Sequence, residues 1–377
     1  MLVLRYLTFA VALFGLAAHG ANLTIRVRVP ADSETVYLAG DIPALGPWDP
    51  HKFPMEGDGL NRTATLQLPA GSTLEFKLTL GSWETVETTP SGGFTSNRSC
   101  TMPATGNATY SGAVEAWGSG KSTPKKSTAT ASVSILSTNF SIPQLNRTRR
   151  IWLYLPPDYA TSTKTYPVLY MHDGQNVFDN ATSFAGEWGV DETVDQLHAH
   201  GGPDCIVVAI DNGGSHRMTE YQPNFTQFND GEGGAYITFI VHTLKPYIDR
   251  HYRTRPDRLN TGIGGSSMGG LISLYAVLKY PDVFGRAFLF STSFQMKPEL
   301  FDFARPVKSP QPPSRLYFLC GQKESSNPTF VSAPQTRMAD LLTTNGFTIR
   351  SVIVPDGQHA EWFWRREFPA AFKWLFQ

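Results

Sequence analysis

The stretch Gly264-Gly265-Ser266-Ser267-Met268-Gly269-Gly270 decides the fold. It follows the strand-like run Leu259-Asn260-Thr261-Gly262-Ile263 and opens into Leu271-Ile272-Ser273-Leu274-Tyr275-Ala276-Val277-Leu278, a helix-like run ended by Pro281. Strand, sharp glycine-rich turn and helix form the context in which Gly-x-Ser-x-Gly is a nucleophile elbow. The frame is Gly265-x-Ser267-x-Gly269, so Ser267 rather than Ser266 is the candidate nucleophile. Glycine is expected on either side because the serine sits in a strained turn where neighbouring side chains would collide with strand and helix.

Outward from the elbow, apolar strand runs alternate with helix-like stretches. Ser132 to Leu136 and Arg150 to Leu155 are β-like. Pro167 to Met171, Cys205 to Ile210, Ala287 to Phe290, Arg315 to Leu319 and Ser351 to Val354 follow. Helices are expected over Glu192–His198, Ala235–Arg250, Leu271–Lys279, Gln335–Thr344 and Phe368–Leu375. Unbroken apolar strands alternating with helices predict an α/β fold over residues 132–377, a mostly parallel sheet with helices on both faces.

A serine hydroxyl needs a base, and the base an orienting acid; in sheets of this kind the chain order is Ser, Asp or Glu, His. The one histidine downstream of Ser267 is His359, in a glycine-bearing loop just after the last strand. Strand-end loops share the sheet edge on which the nucleophile stands. For the acid, Glu324 follows a strand directly and is preferred. Asp340 falls on an amphipathic helix, Asp356 is too close to His359, and Asp302 lies in a proline-flanked connection. Two backbone N–H groups must face the developing oxyanion. Met268 is expected to supply one, and Gln175, with Gly174 close behind, the other. His172 and Asp173 have no further ligands at metal-binding spacing, so no metal and no organic cofactor are expected.

Residues 22–118 differ in texture. Short β-runs with turn residues between them, such as Leu23 to Val29, Ala64 to Leu68 and Leu74 to Leu80, predict a small all-β sandwich. Residues 119–131, rich in Gly, Ser, Thr, Pro and Lys, read as a flexible linker. Residues 1–21 read as a signal peptide, implying secretion, and no other segment is long and apolar enough to span a membrane. Sequons at Asn22, Asn61, Asn97, Asn107, Asn139, Asn146, Asn180 and Asn224 fit a secreted glycoprotein. Three cysteines, Cys100, Cys205 and Cys320, suggest free thiols rather than a disulfide framework. The formal net charge of zero argues against nucleic acid or an anionic membrane as partner.

Two resemblances add to this. Val36 to Pro50, Leu68 to Leu78, Trp83-Glu84 and Val114 to Trp117 resemble a family 20 carbohydrate-binding module, a starch-binding domain of immunoglobulin-like fold. The resemblance implies a sugar site at Trp48, Trp83 and Lys77, where indoles stack on glucose rings and the lysine donates to hydroxyls. Tyr170 to Asp179, Arg217 to Tyr221 and Thr261 to Gly270 resemble the α/β-hydrolase esterase family that contains enterochelin, feruloyl and acetylxylan esterases and S-formylglutathione hydrolase. It implies carboxylic-ester hydrolysis by Ser267, His359 and Glu324 through an acyl-enzyme, with Arg217 and Glu220 as an ion pair shaping the site.

The resulting expectation is a secreted serine esterase whose substrate is an ester, with an acylated carbohydrate in view and starch or another glucan as partner of the first domain. An acyltransferase on the same residues and a non-catalytic carbohydrate-binding protein are the alternative readings.

Overall fold

The computed structural model describes residues 20–31, 34–46, 48–90, 95, 97–118, 125–184, 186–225, 231–325 and 327–377. The signal peptide expected over residues 1–21, apart from its last two residues, and positions 119–124 of the expected linker lie outside the described residues. The chain divides into two compact units, residues 1–119 and 120–377.

The first unit is all β. Its strands are β1 (Ala21–Arg28), β2 (Tyr37–Gly40), β3 (Asn61–Leu68), β4 (Thr73–Thr79), β5 (Glu87–Thr88), β6 (Arg98–Thr101), β7 (Ala108–Ala113) and β8 (Ala116–Trp117). They pair as β3-β1-β7, β2-β4-β6 and β5-β8. Period-two alternation turns Leu23, Ile25 and Val27 of β1 inward, where they meet Leu66, Leu68, Phe76 and Leu78 in one core. This is the sandwich expected from the pattern.

The second unit is built on an eight-stranded sheet among the described residues. Its strands are β9 (Val133–Ile142), β10 (Arg147–Tyr154), β11 (Val168–His172), β12 (Ile206–Ile210), β13 (Thr261–Ser266), β14 (Arg286–Phe290), β15 (Arg315–Gly321) and β16 (Thr348–Val354). The order is β16-β15-β14-β13-β11-β12-β10-β9, parallel from β16 to β12 and antiparallel over the last two pairs. The helices are α1 (Val190–Ala199), α2 (Arg217–Glu220), α3 (Gly233–Phe239), α4 (Lys245–His251), α5 (Met268–Lys279), α6 (Leu300–Ala304), α7 (Thr329–Thr344) and α8 (Glu361–Phe376). Apolar clusters cover both faces, one around Tyr236, Leu271 and Leu274, the other around Trp188, Phe363 and Phe372. The α/β expectation holds. Because β11 lies between β12 and β13, the strand order reverses there and the loops at its carboxyl end diverge, opening the edge where ligands bind in such sheets.

Three local expectations need correction. The strand before the elbow runs Thr261–Ser266, through both glycines, after a short turn at Arg258–Asn260. α7 and α8 begin six and seven residues before their expected starts, with Pro334 and Pro369 inside them. Each proline forfeits one backbone bond, but neither is buried, and the apolar faces carrying Met338 and Leu342, or Phe363, Trp364 and Phe368, outweigh that loss. Finally, Lys125–Thr130 is bonded rather than free. Lys125 Nζ donates to Ser183 O, Ser127 Oγ and Thr128 N to Asp179, Thr128 Oγ1 to Glu187 and Thr130 N to Asp191. Polar composition made this stretch look like linker; three carboxylates of its own unit supply acceptors for it.

Cys205 and Cys320 are buried and Cys100 is half-buried, all as free thiols. No helix among the described residues is long and apolar enough to cross a membrane.

Candidate active site

β13 delivers Ser267 to the carboxyl edge of the sheet with φ 59° and ψ −121°, a conformation that costs a side-chain-bearing residue about 1–3 kcal/mol. Backbone bonds hold it there: Ser267 N donates to Phe290 O at 2.8 Å, and Ser293 N donates to Ser267 O at 3.3 Å. The glycine requirement is real, but unevenly placed. A β-carbon on Gly265 would lie 3.2 Å from the Gly269 backbone, whereas one on Gly269 would make an ordinary 3.4 Å contact with His172. The strongest demands fall on Gly264, where a β-carbon would enter the Phe288 ring, and Gly270, where it would meet Thr292 Oγ1 at 2.7 Å.

Glu324 and His359 are brought together. His359 Nδ1 is 3.0 Å from Glu324 Oε2, and Glu324 is only 5 % exposed. Its other oxygen accepts from Gly321 N at 2.5 Å and Ser291 Oγ at 2.6 Å. Ser291 in turn accepts the Trp364 indole N–H at 2.8 Å. The alternatives fall away: Asp356 pairs with Arg366, Asp302 with Arg305, and Asp340 is an exposed residue of α7. The Ser267 hydroxyl meets Ser293 Oγ at 3.0 Å.

Neither Ser291 nor Ser293 was singled out from sequence. The signal was present, since Ser291-Thr292-Ser293 follows β14 at the same sheet edge that marked His359 and Glu324. This turn touches the nucleophile at one end and the acid at the other.

Met268 begins α5, so its N–H has no partner inside the helix and is open to an acceptor. Gly174 and Gln175 form a single turn, Gly174–Asn176, set by Asp173 in the left-handed region at φ 56°. Gly174 packs on the end of β12; an added β-carbon would lie 2.7 Å from the Ile210 backbone. Gln175 Oε1 accepts from Asn212 N at 3.2 Å, which fixes its side chain.

The expected ion pair between Arg217 and Glu220 does not form. Arg217 grips Asp173 with two bonds, 2.6 and 2.8 Å. Glu220, fully buried, is instead held by Arg149 at 2.7 and 2.9 Å and by Arg147 at 2.9 Å. The two residues lie three apart on one short helix, but Glu220 faces β10 and Arg217 faces the turn that follows β11. β10 therefore pins α2 through Glu220, and α2 positions Arg217 against Asp173. Burial alone would raise the Asp173 carboxyl; the Arg217 guanidinium outweighs it and holds the group below the usual carboxylate range. Next to it, burial pushes the His172 imidazole down to about 3, so it is neutral. It bonds Tyr236 OH through Nδ1 at 3.0 Å, which suits a packing role.

In the first unit, Trp48 and Trp83 come together, ring centroids 6.4 Å apart, both half-buried. Lys77 departs from expectation. It is 5 % exposed, its ammonium donates to Thr95 O and Oγ1, and burial lowers it to about 8. An ammonium committed to Thr95 is not a surface donor to sugar hydroxyls.

Among the described residues, Asp158, His198 and Asp204 could gather around a cation, with ligand atoms within 4.8 Å of one another. The Lys164 ammonium, 2.7 Å from Asp158, already supplies positive charge there.

Comparison with known proteins agrees with this architecture. The family model described as Putative esterase matches residues 142–375, and the one described as Starch binding domain matches residues 22–111. An endo-1,4-beta-xylanase/feruloyl esterase of Xylanibacter ruminicola is 26 % identical over 218 residues, covering 57 % of this chain and 27 % of that protein. An alpha-amylase of Niallia circulans is 40 % identical over 99 residues, 26 % of this chain and 8 % of that one. The first curated relatives are covered over 57 % of their own length or less. Among solved structures, the enterochelin esterase of Shigella flexneri superposes with a TM-score of 0.54 at 16 % identity, covering 94 % of this chain and 92 % of that one, a likeness of fold. Matched over more than half its length, the chain belongs to the family described as Putative esterase.

Proposed function

We propose that the protein is a secreted serine carboxylic-ester hydrolase acting through an acyl-enzyme on an acylated carbohydrate, with a glucan-binding first domain. The observation that carries the catalytic reading is the buried Glu324 carboxylate bonded to His359, on strand-end loops of the sheet whose β13 ends at Ser267 in an elbow conformation. Glu324 orients the imidazole with Nδ1 protonated, which leaves Nε2 as the base. As the ester arrives, the Ser267 hydroxyl leaves Ser293, gives its proton to His359 Nε2 and attacks the carbonyl carbon. Catalytic hydrogen bonds of this kind tighten only when substrate is bound. The N–H groups of Met268 and Gln175, with Gly174 as alternative donor, receive the negative charge on the carbonyl oxygen. Collapse breaks the C–O bond and expels the alcohol, which takes the proton from His359. Water then attacks the acyl-serine by the same route, releasing the acid and restoring Ser267.

The carbohydrate part of the reading is supported by the Trp48–Trp83 pair and by the starch-binding match. A module that holds polymer raises the local substrate concentration for a tethered enzyme. The deciding test is Ser267→Ala with p-nitrophenyl acetate. Turnover falls to background while the circular dichroism spectrum stays native, and a fluorophosphonate probe labels wild type but not the variant. Unchanged turnover in the folded variant refutes the assignment.

A further inference from the structure

Beside the candidate triad stands a polar pair that the proposed mechanism does not use. Glu361 opens α8 two residues past His359, and Asn176 follows Gln175 directly, so the pair bridges the loops of the base and of the oxyanion donor. Asn176 Nδ2 donates to Glu361 Oε1 over a long 3.4 Å. Asn176 is 8 % exposed, and its Oδ1 is taken by the backbone N–H of Phe184 at 2.9 Å, which fixes the amide with its N–H groups toward Glu361.

Glu361 has acidic and basic neighbours but no ion pair among the described residues. His359 and Arg217 lie within its electrostatic range and favour its charge, but His359 is bonded to Glu324 and Arg217 is committed to Asp173, whose negative charge opposes that of Glu361. Desolvation, the largest effect, raises the Glu361 carboxyl to about 7. Apart from Asn176, its carboxylate meets its own backbone N–H. A carboxylate offers about four lone-pair positions and a side-chain amide two N–H groups, so the pair keeps acceptor and donor capacity side by side. Phe184, anchored by the same Asn176, leaves its side chain 48 % exposed.

Adjacent donor and acceptor capacity is the complement of a hydroxyl, which both gives and receives a hydrogen bond. An exposed aromatic ring on the same loop suits the C–H face of a sugar or the ring of an aromatic acid. We propose that Asn176 and Glu361 form a subsite that recognises a hydroxyl group of the ester substrate next to the scissile bond. This rests on the esterase reading above and adds the feature by which substrates are chosen. The hydroxyl can belong to the alcohol, as in a sugar ester, or to the acyl group, as in a hydroxylated aromatic acid; the shared chemistry is the same.

Two matched substrate pairs separate these sources. The alcohol pair is methyl 6-O-acetyl-glucopyranoside against cyclohexylmethyl acetate, and the acyl pair is methyl 4-hydroxycinnamate against methyl cinnamate. The kcat/KM ratio within each pair is measured for wild type, Glu361→Gln and Glu361→Leu. Wild type favours the hydroxylated member of at least one pair by about tenfold or more, as sites built to hydrogen-bond a hydroxyl do. Glu361→Leu erases that preference and Glu361→Gln, which still accepts a hydrogen bond, retains part of it. The pair that responds identifies the source. No preference in wild type, a preference that survives Glu361→Leu, or an equal fall of both members overturns the proposal. Absence of wild-type turnover on all four esters, with no fluorophosphonate labelling of Ser267, refutes the esterase reading itself.

Discussion

Replacing Ser291 by alanine isolates the support of the candidate acid. The residue is 1 % exposed and adopts φ 47°, so alanine, which keeps the β-carbon, leaves the backbone strain as it is and removes only the hydroxyl. Two bonds are lost at once. Glu324 Oε1 loses its 2.6 Å donor, a hydrogen bond to a charged group worth about 1.5–3 kcal/mol. The Trp364 indole N–H loses its 2.8 Å acceptor and is left buried without a partner, at about 1–3 kcal/mol. Glu324 still accepts from Gly321 N, so the carboxylate is loosened rather than stranded. The expected destabilisation is on the order of 3–5 kcal/mol, which for a unit of this size lowers the melting temperature by about 10 °C. Because Glu324 orients His359, kcat on p-nitrophenyl acetate falls about tenfold or more, with a smaller change in KM. Differential scanning fluorimetry and steady-state kinetics on the same preparation check both numbers. A variant with wild-type melting and wild-type kcat refutes the argument that the Ser291 hydroxyl supports the acid.

Three further outcomes follow from the geometry. Gly264→Ala drives a β-carbon into Phe288 at the centre of the sheet, so soluble expression and melting temperature fall by an amount consistent with overpacking of about 1–3 kcal/mol or more. His172, held neutral by burial with its imidazole down at about 3, makes the fold acid-sensitive. The unfolded chain binds the proton below about 6.5 and the folded one does not, so stability is full above that pH and declines as pH falls toward 3. The slope approaches about 1.4 kcal/mol per pH unit. In His172→Phe the urea midpoint varies less between pH 6.5 and 4, and an equally steep dependence counts against the assignment. For the first unit, retention on a starch column drops in Trp48→Ala and Trp83→Ala; a wild type that is not retained makes the tryptophan pair a packing feature.

The parts of this molecule that follow from local pattern were readable in advance. The elbow announces itself through strand, glycines and helix, and His359 and Glu324 follow from chain order and strand-end position, each needing only a short look along the chain. What escaped were partnerships across the fold. Arg217 and Glu220 are neighbours in sequence, but their true partners, Asp173 and Arg149, are 44 and 71 residues away. Lys77 lies on a strand in which polar and apolar residues alternate, a pattern that suggests exposure, yet the strand is buried from Leu74 onward and Thr95 claims its ammonium. Asn176 and Glu361 are 185 positions apart, so no spacing rule could have joined them. Lys125–Thr130 misled by composition, because a polar stretch looks alike whether water or buried carboxylates answer its donors.

The contact between Trp364 and the candidate base has an optical consequence. The His359 ring meets the Trp364 indole edge-on, centroids 5.2 Å apart and planes 83° apart, while the indole N–H is fixed on Ser291. A cationic imidazole drains excitation from a neighbouring indole far more effectively than a neutral one. The charge of His359 is thereby coupled to the emission of a tryptophan already seated in the fold. Each passage of a proton onto this histidine would dim a native fluorophore, giving the protein an internal reporter of the candidate base without an added label.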